Sequence, residues 1–247
     1  MRLLAILSVL VLLASCEAKF DWPWNKGGSS AHPTGQTVTQ DRTVGSFDQV
    51  KLDGLGRLVF DGSIPVGTVR VKADQGLMQA IQVVVEGSQL QLKETGIQGP
   101  GSWDLEFRVA PPANLSGVTL SGLGSIEAEA PLKTSSVLGL NLDGLGQISL
   151  EVDAPGVTAH QQGSGQLKVT GTAAQVDVVA NGLGQVDVSG LKAKNVTVDS
   201  NGLGEVTVFA SSSLKVRANG LGAVHFQGHP ATTYVQTKGM TQVTAID

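Results

Sequence analysis

Apolar and polar residues alternate along most of this chain with a period of two, and a short glycine motif interrupts the alternation at regular intervals. The motif is a glycine, usually a leucine and then usually a second glycine, preceded by a polar residue. Its copies, of which the fourth and the last are weaker, lie at 53–56, 121–124, 143–146, 162–165, 181–184, 201–204, 219–222 and 238–241. From the second copy onward, the first glycines lie 18 to 22 residues apart. A period of this size is typical of a solenoid in which each repeat forms one coil.

The residues around each motif predict two strands that flank one corner. The repeated apolar positions lie six, four and two residues before the first glycine, and one, four and six residues after it. Around Gly182 they are Val176, Val178, Ala180, Leu183, Val186 and Val188. We expect all six side chains to point into the coil and the glycines to turn sharply because they accept a positive φ. A second turn, such as Thr170-Gly171 or Ser189-Gly190, would return the chain to the next coil.

A single coil of this kind cannot fold by itself. Its six apolar side chains bury too little area to offset the conformational entropy of about 19 ordered residues. Stacked coils add backbone hydrogen bonds and cover one another's apolar edges. The sequence therefore predicts an all-β fold, a single-stranded right-handed parallel β-helix with coils of about 19 residues.

The regular repeat is assigned to residues 113–247, and the preceding block 45–112 differs from it. This block also alternates, and Glu86-Gly87-Ser88 predicts a hairpin turn that brings Val85 opposite Leu90. Residues 45–112 are predicted to form either an N-terminal β-rich cap or a set of degenerate coils. Terminal repeats are expected to be atypical, because an uncovered sheet edge would pair with other chains.

The N-terminus has the charged, apolar and small-residue parts of a secretory signal, assigned to residues 1–15. Its apolar run is too short to span a bilayer as a mature helix. Leu13-Ala14-Ser15-Cys16 resembles a bacterial lipobox, which implies cleavage before Cys16 and attachment of acyl chains to that residue. Cys16 is the only cysteine in the sequence. The alternative is an ordinary signal peptide with an incidental cysteine.

Residues 16–44 are predicted to be a flexible tether that follows the acylated Cys16. The segment contains Gly27-Gly28-Ser29-Ser30 and two prolines, and it shows no sustained periodicity. The anchored chain would have the membrane as a partner and would lie in the bacterial cell envelope. If the cell has two membranes, the outer membrane is the expected location, on either its periplasmic or its outer side.

The sequence lacks the motifs that carry common chemistries. The glycine motifs are without the third glycine of a dinucleotide fingerprint, and no Walker loop, nucleophile elbow, zinc-protease helix motif or EF-hand spacing occurs. His160, His225 and His229 are interpreted as solvated surface residues rather than metal ligands. We therefore expect no catalytic residues, metal or cofactor. The net charge of −4 and the lack of a basic patch argue against nucleic acid as a partner.

Two polar rows are the candidate binding site. They comprise the residue before the first glycine and the residue three positions after it, repeated about 4.8 Å apart in stacked coils. Their side chains would either bond along the stack and maintain its register or present a polar strip to a glycan or another chain. The candidate residues are Asp143, Gln147, Gln166, Asn181, Gln185, Asn201, Glu205 and Asn219.

Taken together, the features above resemble one bacterial family. The lipoprotein signal, the segments Ser46-Phe47-Asp48-Gln49-Val50 and Ser88-Gln89-Leu90-Gln91-Leu92, and the Gly-Leu-Gly coils are similar to the "putative auto-transporter adhesin, head GIN domain" family over about residues 44–240. The resemblance implies a β-helical fold and an envelope location. The expected function is a non-enzymatic, lipid-anchored, adhesin-like module that binds a glycan or a surface protein.

An enzyme is the alternative. Polysaccharide-active β-helices, lyases or hydrolases, usually carry their acidic and basic residues on long loops between coils. Coils of 18 to 20 residues leave no room for such loops, so the binding module is the preferred interpretation.

Overall fold

The computed structural model describes residues 31–95 and 104–246, most of which lie in strands. The predicted signal peptide, Cys16 and the first part of the predicted tether lie outside these residues. In the described part of the chain, one short 3-10 helix is present, at Gln75–Ala80. No helix among the described residues is long and apolar enough to cross a membrane.

Eighteen strands form one continuous sheet that winds around a buried interior. They are β1 (Thr37–Thr43), β2 (Gln49–Gly54), β3 (Arg57–Phe60), β4 (Thr68–Asp74), β5 (Ile81–Glu86), β6 (Gln89–Glu94), β7 (Glu106–Val109), β8 (Gly117–Gly122), β9 (Ser125–Ala128), β10 (Leu132–Lys133), β11 (Leu138–Leu142), β12 (Gln147–Gln161), β13 (Gln166–Ala180), β14 (Gln185–Ser200), β15 (Glu205–Ala218), β16 (Ala223–Gln227), β17 (Thr232–Thr237) and β18 (Gln242–Ala245).

From β8 to β18 the coils stack in parallel, with equivalent residues in register. Val157 pairs with Val176, Val176 with Val196, and Val196 with Leu214. The described residues form a β-solenoid of about 7 turns with coils of about 19 residues. The predicted all-β solenoid is thus confirmed, and its strands are parallel because each coil repeats the register of the coil before it.

Five of the six predicted inward positions are buried, and the sixth is not. Around Gly182, the five are at most 5% exposed, whereas the Leu183 side chain is 61% exposed. The prediction that this leucine points inward was wrong. Within Asn-Gly-Leu-Gly-Gln the alternation places Asn, Leu and Gln on the outer face, and the two glycines occupy the inward phase.

The expected second turns at Thr170-Gly171 and Ser189-Gly190 do not interrupt the strands. Both pairs lie inside long strands, β13 of 15 residues and β14 of 16, which bend where the pairing register shifts. Residues on this third side of the coil also enter the interior, among them Val152, Leu191 and Ala193. The interior is therefore wider than two flanking strands alone would make it.

The N-terminal block contains both of the structures that the sequence left open. Strands β2 and β3 form a regular coil that lies between the β6–β7 coil and the β8–β9 coil, with Val50 paired to both Leu90 and Val118. Strands β1, β4 and β5 are antiparallel to their neighbours and cover this end of the stack. The predicted hairpin is confirmed, with Val85 opposite Leu90.

Strand β1 lies within the segment 16–44 that was predicted to be a tether. It pairs with β4 over seven residues, and the Arg42 guanidinium donates hydrogen bonds to the carbonyls of Met78 at 2.9 Å and Ile81 at 2.6 Å. The ordered fold therefore begins before residue 45. The sequence does not reveal this strand. Only Val38 and Arg42 are half-buried and the other five residues are exposed, so the strand has no alternation of apolar and polar residues.

Candidate binding face

Most corner glycines are required by close stacking rather than by their backbone angles, although Gly54, Gly56, Gly122 and Gly239 do have a positive φ. A Cβ atom on Gly182 would lie 1.9 Å from the Gly163 carbonyl oxygen, and one on Gly184 would lie 2.0 Å from that of Gly165. Neither Gly182 nor Gly184 has a positive φ. The expectation of a positive φ was wrong for these regular corners, where the missing side chain lets one coil rest directly on the backbone of the coil before it.

Three outward rows run along the corners, parallel to the solenoid axis, and we call them together the corner face. The asparagine row precedes the first glycine: Asp143, Gln162, Asn181, Asn201 and Asn219. The leucine ridge follows the first glycine: Leu123, Leu145, Ser164, Leu183, Leu203, Leu221 and Met240. The glutamine row lies two residues further on: Ser125, Gln147, Gln166, Gln185 and Glu205.

Amides in the two polar rows hydrogen-bond along the stack. Asn219 Nδ2 donates to Asn201 Oδ1 at 2.8 Å, and Asn201 Nδ2 donates to Asn181 Oδ1 at 3.0 Å. In the other row, Gln166 Nε2 donates to Gln185 Oε1 at 3.0 Å. These bonds orient the side chains, and each amide keeps a second N–H and a free lone pair for a partner in front of the face.

A groove of about 970 Å³ runs between the leucine ridge and the glutamine row. Its floor is the second glycine of successive motifs, which faces inward between the two outward rows. These floor residues are Gly56, Gly124, Gly146, Gly165, Gly184 and Gly204. A shallower depression beside Gly222 continues the same line. We call this the corner groove; one wall is aliphatic and the other is polar and largely uncharged.

Charge is concentrated at the N-terminal end of the corner groove. The Arg57 guanidinium donates to Glu127 at 2.9 Å and to Glu106 at 3.2 Å, and its hydrogen bond with Glu127 raises the pKa of Arg57. Arg108 contacts Glu106 at 2.6 Å and the buried Asp61 at 2.9 Å. The hydrogen bond that Arg108 donates to Glu106 raises the pKa of Arg108, and so do the hydrogen bonds that it donates to Glu129 and Asp61. This end is therefore a network of paired ions.

Glu94 supplies a hydrogen-bond acceptor at the Gly54 corner. At later corners the amide after the first glycine donates to the glycine carbonyl of the preceding coil, as Leu123 does to Gly54 at 3.0 Å. At the Gly54 corner, Leu55 N donates instead to the side chain of Glu94, to Oε1 at 2.7 Å. Burial raises the pKa of Glu94, because desolvation outweighs the stabilising hydrogen bond to its carboxylate.

Metal-ligating residues are not gathered anywhere in the described residues. Groups of three or more His, Cys, Asp or Glu side chains that could hold a metal ion are absent from residues 31–95 and 104–246. His225 lies 3.7 Å from Glu205 as an isolated pair beside the corner face.

The structure places all eight sequence-predicted candidates on the corner face, exposed or half-exposed. Asn181, Gln185 and Asn201 carry the hydrogen bonds described above, and Asp143 and Glu205 lie in the same two rows. Sequence reasoning missed the leucine ridge between the rows. A signal was present, since Leu183 has the same parity as Asn181 and Gln185, whereas the buried Val186 has the opposite parity.

The sequence matches a known protein family over most of its length. The family model described as "Putative auto-transporter adhesin, head GIN domain" matches residues 46–230. A comparison with curated proteins gives no significant match.

Solved structures share the fold of this chain. A putative adhesin from Bacteroides fragilis is 21% identical with a TM-score of 0.79, and the match covers 87% of this chain and 99% of that one. A putative adhesin from Parabacteroides distasonis is 20% identical with a TM-score of 0.64, covering 86% and 98%. A putative lipid binding protein from Parabacteroides distasonis is 16% identical with a TM-score of 0.58, also covering 86% and 98%. At these identities, the likeness shows the fold alone.

Proposed function

This chain belongs to the "putative auto-transporter adhesin, head GIN domain" family, and on that premise we propose that it is a non-enzymatic binding protein of the cell envelope. Acyl chains on Cys16 hold it at a membrane, the outer one where two exist. The corner face binds a glycan or a protein of an adjoining surface.

The observation that carries this proposal is the exposed leucine ridge. Leu123, Leu145, Leu183, Leu203 and Leu221 are each at least 54% exposed and lie in one line. Single exposed leucines need no explanation, but contiguous apolar surface on a soluble domain marks a site of interaction. The ridge stands on a backbone held by stacked hydrogen bonds, so a partner would meet a surface that is already ordered.

The carboxylates near the corner groove favour binding over catalysis. Most glycoside hydrolases use a pair of carboxyl groups, at least one of which must be free to exchange a proton with the substrate. Both oxygens of Glu106 are occupied, Oε1 by Arg108 at 2.6 Å and Oε2 by Arg57 at 3.2 Å. Glu205 lies at the other end of the groove, with His225 as its neighbour.

Binding is tested with the full chain in membranes and three substitutions on the ridge, Leu145→Gln, Leu183→Gln and Leu203→Gln, made together. We expect the variant to lose attachment of cells or vesicles to glycan arrays and to envelope proteins. Val137→Gln is the matched control, because Val137 is 55% exposed but lies away from the corner face. Equal attachment by the ridge variant and the native chain would contradict the proposal, and so would turnover of a polysaccharide.

The anchor is tested separately. Cys16→Ser removes the atom to which acyl chains would attach, so we expect the protein to move from the membrane fraction to the soluble fraction. Several acyl chains hold a protein stably, whereas no helix within residues 31–95 and 104–246 is long and apolar enough to cross a membrane. An unchanged membrane fraction would rule out lipidation at Cys16 and leave binding by the corner face unaffected.

A further inference from the structure

We propose that the partner of the corner face is a second copy of this chain. The two copies pack side by side with parallel solenoid axes, and the leucine ridge of each lies in the corner groove of the other. This inference rests on the proposed function in using the same face, but its occupant is a copy anchored in the same membrane in place of a partner on an adjoining surface.

Ridge and groove lie next to each other and run in the same direction, which makes the face self-complementary. Leu183 forms the ridge, and Gly184, one residue later, forms the groove floor. A two-fold axis that is parallel to the solenoid and passes between these positions exchanges ridge and groove. One symmetric contact then fills both grooves, as isologous interfaces require.

The repeat distance selects a copy of this chain over other partners. Coils are spaced about 4.8 Å apart. An α-helix laid in the groove has a pitch of about 5.4 Å and would be out of step by about 3.6 Å after six turns. An extended peptide presents side chains on one face about every 6.8 Å. A parallel second copy has the same spacing at every level, as do the identical stacked segments of a steric zipper.

The charge of the face permits identical copies to meet. Between the ends of the groove, its walls and floor are leucine, glycine, serine and glutamine, so two-fold symmetry brings no like charges together in the middle. The same operation places the glutamine row of one copy beside the asparagine row of the other. Gln166 and Asn181 each keep free amide groups that can hydrogen-bond across this contact.

The size of the face predicts a weak dimer in solution and a stronger one at a membrane. The seven ridge positions span about 30 Å along the solenoid axis, and the five residues from the asparagine row to the glutamine row span about 15 Å across it. The area of the face is therefore about 450 Å² per copy. Standard interfaces bury about 800 Å² per partner, so this contact belongs to the weak class. Parallel axes place both N-terminal ends on one side, and anchoring in one membrane would raise the effective concentration toward the mM range.

The test cross-links full chains in membranes through Met240→Cys, at the last position of the ridge, with a short bismaleimide. The native chain is the control. Its only cysteine is Cys16, so any cross-link that it forms does not involve residue 240. We expect Met240→Cys to give additional dimer, because parallel copies place both substituted residues at the same level. An antiparallel pair would place them at opposite ends.

Further substitutions on the Met240→Cys background identify the face. Leu183→Gln together with Leu203→Gln should weaken dimerisation by at least about tenfold. Ser164→Leu should strengthen it, because Ser164 is the one small residue within the ridge. Val66→Gln together with Val137→Gln, both at exposed sites outside the face, should leave cross-linking unchanged. Melting temperatures should remain equal, which confirms that each variant is folded.

Several outcomes would overturn self-association: no additional dimer from Met240→Cys, equal cross-linking by the ridge variant, or a loss of cross-linking in the Val66 and Val137 control. If the chains stay monomeric while the ridge variant still loses attachment to other surfaces, the second copy is excluded and the proposed binding function stands. If the chains dimerise but no ridge substitution affects attachment, binding to a separate partner is excluded and self-association stands.

Discussion

At the scale of single residues, the position of a side chain within the glycine motif decides which of two opposite environments it occupies. Leu183 and Val186 are three residues apart and similarly apolar, yet Leu183 is 61% exposed and Val186 is fully buried. Hydrophobicity alone does not separate them. Their parity along the strand does, because successive side chains point to opposite faces of a sheet.

This contrast gives the first prediction. Leu183→Gln should change the free energy of unfolding by no more than about 0.5 kcal/mol, as is usual for exposed sites. Val186→Asp should reduce it by several kcal/mol, because the carboxylate would be buried among apolar side chains without a partner. Urea unfolding of the two variants and the native chain measures both effects. Equal losses would show that the two positions share one environment.

The second prediction concerns the corner glycines. Gly184→Ala should reduce the free energy of unfolding by about 2–4 kcal/mol, because the new methyl group would overlap the Gly165 carbonyl oxygen and separate the coils. Gly45→Ala is the control, since its Cβ would meet nothing within 4 Å and its φ is not positive. Thermal unfolding compares them. A Gly184 variant as stable as the Gly45 variant would show that the corners can separate at little cost.

At the scale of elements, one corner of the stack differs from the later ones. Later corners satisfy their amides with carbonyls from the preceding coil, but at the Gly54 corner Leu55 N donates to the Glu94 carboxylate. This carboxylate fits against Gly54, where a larger residue would collide with it. A side chain thus supplies at this corner the acceptor that a backbone carbonyl supplies at the later corners.

Glu94 therefore makes stability depend on pH. Because burial raises its pKa above 4.5 in the folded state, the native protein binds more protons than the unfolded chain just above that pH. Ionisation of Glu94 then opposes folding, and stability decreases as pH rises through this window. Glu94→Gln keeps an oxygen acceptor for Leu55 N and cannot ionise.

We expect Glu94→Gln to gain melting temperature relative to the native chain as pH rises from about 4 to about 7. Glu86→Gln, on the adjacent hairpin, controls for the loss of one negative charge. Melting curves at a series of pH values measure the difference. A constant difference between native and Glu94→Gln chains across this range would contradict the raised pKa.

At the scale of the whole molecule, the two ends of the solenoid are covered differently. The antiparallel strands β1, β4 and β5 close the N-terminal end, whereas β17 carries no buried residue. The N-terminal coils are also out of chain order, since β2 and β3 lie between coils formed later in the sequence. These antiparallel strands cover the parallel coils at this end, and β1 and β5 are left as the outermost strands, each paired on one side.

A fragment that starts at residue 45, where the sequence places the domain boundary, should therefore be less stable than one that starts at residue 31. It lacks β1, which removes the pairing with β4 and the Arg42 hydrogen bonds to the Met78 and Ile81 carbonyls. We expect a lower melting temperature and more light scattering from the exposed β4 edge. Equal melting and equal scattering of the two fragments would show that β1 is dispensable.

Much of this fold could be predicted from local sequence, and the exceptions have physical reasons. The all-β solenoid, its coil length and the hairpin at Glu86-Gly87-Ser88 follow from alternation and turn residues. Strand β1 was not predicted, because its contacts are made by polar side chains such as Arg42. The polar rows were identified as candidates, but the leucine ridge was placed in the interior because apolar character was given more weight than parity.

The sequence by itself determined the repeat, the buried valines and the row of glycines at each corner, because these depend on neighbours a few residues apart and on a period that any stacking must preserve. Only the tertiary structure decided that β2 and β3 lie between later coils, that Leu55 at the Gly54 corner donates to Glu94, and that the leucines form an exposed ridge beside a groove. Each of these depends on which distant backbone lies against a given residue, as the carbonyl of Gly165 lies against Gly184, and a one-dimensional pattern does not contain that information.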